Sequence, residues 1–322
     1  FRSIIWSAIC LLTPALMLTQ AWAQAYPSKP VRLILPVPPG GVGDLIARQL
    51  AQRLAQHTGQ QFIIDNRAGA TGLIGLQAAA KSPPDGYTLL WGSSNNMSMN
   101  PALTGKPSPA RDYAPVTPVV TFPNILVVHP SLPVKTFSEL TTLARKNPGQ
   151  IRFGSAGTGS TNHLSAEVMQ SLTSVKITHI PYKGGGPALT DLLGGHIEAQ
   201  FGTSPSVVSY IKAGRLKPLL VTSATRLTAL PAIPNAKEAG IPSLIVSTWN
   251  GIFAPNATPD NLVTTLHAAI STTLTSKDMT ERIVSQGAEV YLLPSAKFGA
   301  MVDEEFAYWS GVVKKLGLQM EQ

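Results

Sequence analysis

The stretch "LILPVPPGGVGDLIARQLAQRL", Leu33 to Leu54, decides how the chain is read. An apolar run stops at prolines and glycines, and an amphipathic pattern follows at once. Val31 to Val37 reads as a strand. Leu45 to Leu54 reads as a helix, because Ile46, Leu50 and Leu54 recur at helical spacing while Arg48, Gln52 and Arg53 fall elsewhere. Strand, small-residue turn and helix make half of a βαβ unit, and such turns hold anions well.

The same grammar recurs along the chain and predicts an α/β architecture with mostly parallel strands. "QFIIDN" is a strand, "ATGLIGLQAAAKS" a helix and "PPDGYTLLWGSS" a turn with a third strand. "YAPVTPVVTFPNILVVH" is a long extended stretch whose prolines mark it as a crossing or edge segment. A second block repeats the pattern in "IRFGSAGTGSTNHLSAEVMQSL", "KITHIPYKGGGPALTDLLGG" and "HIEAQFGTSPSVVSYIKAG". After "SLIVSTWNGIFAP", another extended stretch, helices are expected near 260–274 and 295–315. The last carries Phe298, Met301, Phe306 and Trp309 as core contacts, with Asp303, Glu304 and Glu305 read as a solvated face. Two α/β blocks joined by two extended stretches predict two lobes with a cleft. The chain crosses near Val120 and returns near Ser247, and the C-terminal helices pack back on the first lobe.

"FRSIIWSAICLLTPALMLTQAWAQA" reads as a secretory signal peptide, residues 1–23, with Arg2 as its positive end and Ala21-Trp22-Ala23 as the cleavage site. Pro14 disfavours a membrane anchor, and bulky Ile9 before Cys10 disfavours a lipoprotein. Cleavage removes the only cysteine, so neither a disulfide nor a thiol is expected in the exported chain. The formal charge of +8 is thinly spread, since 13% of residues are charged and no run of four basic residues occurs. Nucleic-acid binding, which needs a clustered basic stripe, is not expected. A diffuse positive field suits collection of small anions.

Nucleotide and hydrolase motifs fail. After Gly41 and Gly43 the third Rossmann glycine is Ile46, and after Gly157 and Gly159 it is Asn162. No P-loop ending or G-x-S-x-G elbow exists, because "GTSPS" at 202–206 lacks the final glycine. Ser160, His163 and Asp191 form a triad only in imagination. The six histidines never take zinc-site spacing, so no metal and no cofactor are expected. His129 and His179, each near a strand end and a proline, read as structural.

Three small-residue turns lead into helices instead: Pro38 to Asp44, Gly154 to Thr161, and Tyr182 to Pro187. A helix start offers unsatisfied N–H groups and a positive dipole end, so it binds anions without a charged side chain. One such turn is ordinary in an α/β protein; turns from two lobes clamp both ends of one anion. Micromolar affinity requires about 8 kcal/mol, and hydrogen bonds to a charged partner supply roughly 1.5–3 each. Four or five contacts suffice.

"YPSKPVRLILPVPPGGVGDLIARQLAQRL", "NRAGATGLIG", "PPDGYTLLWGSS", "ITHIPYKGGGPALTDLLGGHIEAQF" and "LPAIPNAKEAGIP" occur in the order seen in one family. From Tyr26 almost to the C-terminus the chain resembles the Bug-type substrate-binding receptors of tripartite tricarboxylate transporters. The resemblance implies a two-lobed type II periplasmic-binding-protein fold with a ligand cleft between lobes. Lobe 1 is then 24–120 plus 248–322, and lobe 2 is 121–247. It also implies a monomeric periplasmic receptor, not an enzyme, that gives a small carboxylate to membrane permease subunits. Two other outputs stay open: a sensor feeding a two-component system, and an exported serine hydrolase.

Carried over from the family, the ligand site comprises Pro38, Gly40 and Gly41 in the first turn. Ser155, Ala156, Gly157, Thr158 and Ser160 form the second. Ser93, Ser94, Asn95, Thr203, Ser204 and Trp249 line the rest, although Trp249 reads equally as a hinge packing residue. Tyr182 and Lys183 brace the lobe more than they touch ligand. The family commonly has an aspartate at position 202, where this chain has Gly202, and an aromatic residue at position 250, where it has Asn250. Loss of the aspartate argues against an amino-acid ligand, whose ammonium needs an anion. The resemblance then points to an acid without an amine, aliphatic or aromatic, with two carboxylates.

Overall fold

A computed structural model describes residues 26–317, and the expected signal peptide lies outside the described residues. The chain opens with β1 (Val31–Leu35), α1 (Val42–Thr58), β2 (Phe62–Asn66), α2 (Leu73–Ala80) and β3 (Thr88–Ser93). A short α3 (Asn100–Leu103) leads to β4 (Tyr113–Val128), α4 (Phe137–Lys146), β5 (Arg152–Ser155), α5 (Thr161–Thr173), β6 (Thr178–Pro181) and α6 (Gly185–Leu193). Then come β7 (Ala199–Thr203), α7 (Ser204–Lys212), β8 (Lys217–Val221) and β9 (Ser247–Pro255). The last elements are α8 (Asp260–Leu274), α9 (Lys277–Ser285), β10 (Glu289–Val290) and α10 (Ser295–Leu316).

The strands follow the order β2-β1-β3-β9-β4-β7-β5-β6, with β8 and β10 also paired to β4. β1 is parallel to β2 and β3, and β5 is parallel to β6 and β7. β4 is the shared strand. Its residues up to Pro123 pair with β9, and Asn124 to Val128 pair with β7 and β8. The prolines of β4 therefore mark a crossing but not an edge. Register shifts fall between Pro115 and Thr117 and between Pro118 and Val120, so the ladder skips beside residues that lack an N–H.

β1 stops at Leu35, two residues short of the expected end, because Pro36 cannot donate to the ladder. α1 starts at Val42 and not at Leu45, since the apparent turn residues Gly43 and Asp44 already lie in its first turn. Gly59, at φ 73°, ends α1 in the left-handed conformation that glycine adopts without penalty. Ile46, Leu50 and Leu54 are buried with Val31, Leu33 and Leu35 against α8 residues Leu266 and Ile270. Each such side chain contributes about 1.5–3 kcal/mol on burial.

β4 alternates faces as a pleated strand must. Leu126 and Val128 join Phe153, Leu164 and Phe201 in one core. Ile125 and Val127 join Leu192 and Val207 in another on the opposite face.

α10 differs from expectation at one residue, Glu305. Its first half, at Phe298 and Val302, joins the core with Trp249 and Phe253. Its second half, at Trp309, Phe306 and Val313, joins a core that also holds Met99 and Ala102, and the helix lies mainly against β4, α3 and the segment before α3. Glu305, at the changeover, is not on a solvated face: its Oε2 accepts from Trp249 Nε1 at 2.9 Å. Burial raises its carboxyl above the ordinary range against the opposing pull of donors from Ser98, Trp249 and Trp309. Asp303 and Glu304 are exposed, as expected. No helix among the described residues is long and apolar enough to cross a membrane.

Candidate functional site

A cleft of about 430 Å³ lies where the strand ends of the two sheet halves meet. Its walls are the β1–α1 turn, the end of β3, the β5–α5 turn, the glycine turn before α6, and parts of β7, α7 and β9. The first-turn residues of four helices line it: Val42 of α1, Thr161 of α5, Gly185 of α6 and Ser206 of α7. Each helix has nine residues or more, enough to carry a dipole. Gly41, Gly184 and Thr203 stand at the N-caps of α1, α6 and α7 without side-chain capping bonds, so those first-turn amides are not consumed by their caps.

Asp44 is the one titratable residue among those lining the cleft. Only 2% exposed, it is bound on three sides. Its Oδ2 accepts from Gly40 N at 3.0 Å and Arg48 Nε at 2.9 Å, and its Oδ1 from Asn66 Nδ2 at 2.9 Å. Burial alone would raise this carboxyl, but the donors from Arg48, Gly40 and Asn66 outweigh it and bring it down to about 2. Asp44 is thus a latch that curls the first turn, its charge matched by Arg48. An acidic residue thus lines the cleft without offering it a free charge.

The expected site residues divide into two groups. Pro38, Gly41, Ser93, Asn95, Ala156, Ser160 and Thr203 line the cleft together. The others shape it from behind. Gly40 has its N–H on Asp44 and a φ of 93°, the left-handed region that favours glycine. Ser94 is buried away from the cleft. Ser155 is fully buried, with its Oγ 2.6 Å from His179 Nε2 and accepting from Gly157 N at 3.1 Å. Gly157 in turn takes the Ser160 hydroxyl on its carbonyl at 2.7 Å. Thr158 is half-buried and outside the cleft lining. Ser204 ties α7 to Gly287 O at 2.5 Å. Trp249, 3% exposed, packs edge-on against Phe298 at 5.3 Å and donates to Glu305. These contacts set its ring in the core, outside the residues that line the cleft.

The imagined triad does not assemble. Ser160 Oγ accepts from the His163 backbone N–H, and the Asp191 carboxylate takes the Tyr182 hydroxyl at 2.7 Å. That last bond makes Tyr182 a brace, and Lys183 is exposed outside the lining.

Several lining residues escaped the sequence reading. Trp91 shares its strand face with Ser93 two residues on, so alternation along β3 was a usable signal. Phe122 is opposite Thr248 across the β4–β9 ladder, a relation that only register reveals. Asn162, Gly186 and Gln200 complete the polar wall, together with Asn250, which the sequence had already marked by its departure from the family's aromatic. Trp91 Nε1, Gln200 Oε1 and Asn250 Oδ1 are buried atoms without a hydrogen-bond partner among the described residues, and all three belong to this cleft. A Cβ on Gly43 would sit 3.3 Å from both Trp91 Nε1 and Asn250 Oδ1, so glycine there keeps the space between helix and indole open. Gly202 has a different reason: a Cβ there would lie 2.3 Å from Val207 Cγ1, so α7 packs where a side chain at 202 would stand.

Such a cleft can hold a compact anion by amides, hydroxyls and an indole, with no free carboxylate to repel it. A sequence profile described as "Tripartite tricarboxylate transporter family receptor" matches residues 46–318. Protein BugT of Bordetella pertussis is 36% identical over 304 residues, covering 93% of each chain. Among solved structures, an R. palustris protein described with adipate is 36% identical, with a TM-score of 0.80 over 91% of this chain and 99% of its own. MatC from Rhodopseudomonas palustris, described with bound malate, is 30% identical, with a TM-score of 0.75 over 89% of this chain and 100% of its own. The chain therefore belongs to the receptor family of the tripartite tricarboxylate transporters.

Proposed function

We propose that this receptor captures a small organic acid without an amine, a dicarboxylate first among them, and delivers it to permease subunits of its transporter. The observation that carries the reading is the convergence of four helix N-termini on one cleft whose single carboxylate, Asp44, is already spent on Arg48, Gly40 and Asn66. Positive helix ends favour carboxylates, while an ammonium group meets no free counter-charge. A volume of about 430 Å³ is at the small end of ligand sites. The adipate and malate named for the two R. palustris relatives are acids of this class.

In this reading the two ends of the acid meet the β1–α1 turn and the β5–α5 turn, and closure follows a hinge in β4 and β9. The lobes are 24–120 with 248–322, and 121–247. The protein acts as a monomer in the periplasm, reached through a signal peptide at residues 1–23. A thermal-shift screen tests the ligand class. At a hundredfold excess over Kd a ligand adds about 2.7 kcal/mol, a rise of roughly 5 °C in Tm for a chain of this size. Di- or tricarboxylates are expected to give that shift and amino acids none; the reverse pattern refutes the proposal.

A further inference from the structure

Behind the second turn lies a cluster of titratable groups that the cleft itself does not use. His163 on α5 and His179 on β6 stack with ring centroids 4.2 Å apart and planes 21° from parallel. His163 is 5% exposed. Its Nδ1 accepts from Gly159 N at 3.1 Å, and its Nε2 is 3.6 Å from Glu167 Oε1, one helical turn on. The His179 Nε2 meets Ser155 Oγ, which receives the Gly157 amide.

We propose that His163 is a positioning residue for ligand capture: through its Nδ1 acceptor it fixes the β5–α5 turn in its anion-gripping shape by holding Gly159 N–H. The proposal rests on the receptor reading above.

The turn needs such a hold. Gly157 and Gly159 adopt φ of 116° and 80°, and glycines in this region have wide freedom when unrestrained. Both lie between Ala156 and Ser160, which line the cleft. An unheld turn must be ordered when ligand binds, and that ordering weakens affinity. The chain Glu167–His163–Gly159 sets the tautomer. Glu167 attracts the N–H to Nε2, leaving the Nδ1 lone pair for the Gly159 amide. A second proton on Nδ1 would set one donor against another. Burial, with His163 beside it, brings the His179 imidazole down to about 4. The stacked pair thus pins the turn at two amides, Gly157 through Ser155 and Gly159 directly.

Two variants separate positioning from bulk. His163→Leu removes the acceptor, while His163→Asn places Oδ1 where Nδ1 stood. Amide exchange of Gly159 in the ligand-free protein is expected to quicken at least tenfold in His163→Leu and to return near the wild-type rate in His163→Asn. Affinity for the strongest carboxylate of the screen should fall at least tenfold in the leucine variant and recover to within threefold in the asparagine variant. In the wild-type protein, 15N spectra should show His163 protonated at Nε2 alone. A proton on Nδ1, Gly159 exchange indifferent to the leucine change, or an asparagine variant no better than leucine overturns the proposal. If no carboxylate binds the wild-type protein, the receptor reading fails separately, and exchange and tautomer still decide the role of His163.

Discussion

Asp44→Ala is expected to lower stability by about 2 kcal/mol and carboxylate affinity by ten- to a hundredfold. The stability figure follows from the carboxyl being held at about 2 instead of its usual 3.8, at about 1.4 kcal/mol per unit. The carboxylate is almost wholly buried, so little of this is lost to solvent. Arg48 and Gly40 are solvent-accessible and can hydrate after the change, which keeps the cost below that of an orphaned buried charge. Affinity falls further because Gly40 N–H loses its anchor and the first turn must then be ordered by the ligand. The pH dependence has a definite sign. A depressed carboxyl adds stability above its ordinary value, and that stability is lost as pH falls through the folded value. The gap between wild type and Asp44→Ala in chemical denaturation should therefore be full at pH 6 and shrink between about pH 4 and pH 2. A gap that stays constant over that range contradicts the latch.

Asn250→Leu is expected to move stability and affinity in opposite directions. Asn250 is 6% exposed on β9, opposite Ser93 of β3. Its Oδ1 has no partner among the described residues, and its Nδ2 makes only a long 3.4 Å contact with Gly92 O. A buried polar atom left unpaired costs about 1–3 kcal/mol, and an apolar replacement of similar shape relieves it. The leucine variant should thus gain roughly 1 kcal/mol in denaturant and bind the screen's strongest acid at least tenfold more weakly by calorimetry. Of the unpaired groups around this cleft, the Trp91 Nε1 donor suits a carboxylate, and the Gln200 and Asn250 oxygens suit a hydroxyl or water held with it. Loss of stability with unchanged affinity would place Asn250 in the scaffold.

The repeated strand–turn–helix units were legible because their apolar periodicity and small-residue turns are local. The shared β4 was legible as a crossing, yet its central place was not. Proline normally argues for an edge, and only the partner strands show that register shifts accommodate Pro115 and Pro118. Turn residues were found as a group, but their division into cleft-facing and supporting was hidden. Which way Ser155 and Ser204 point depends on His179 and Gly287, distant in the chain. Asp44 was legible only as the end of the first turn, because its partners Asn66 and Arg48 meet it only in the fold. Glu305 looked like one of three solvated acids because helix spacing does not reveal that Trp249 reaches it. Gly202 carried a ligand argument from family comparison. The geometry gives it a packing reason, and the lack of a free cleft carboxylate now rests on Asp44 being matched.

The central claim is that one small acid is held at both ends by turns on opposite sides of the cleft. Hydrogen exchange with and without the strongest acid of the screen tests it most directly. Slowed exchange is predicted together in the β1–α1 turn, residues 38–45, and in the β5–α5 turn, residues 155–163. Protection at one turn only, or in segments away from the cleft, would contradict the clamp.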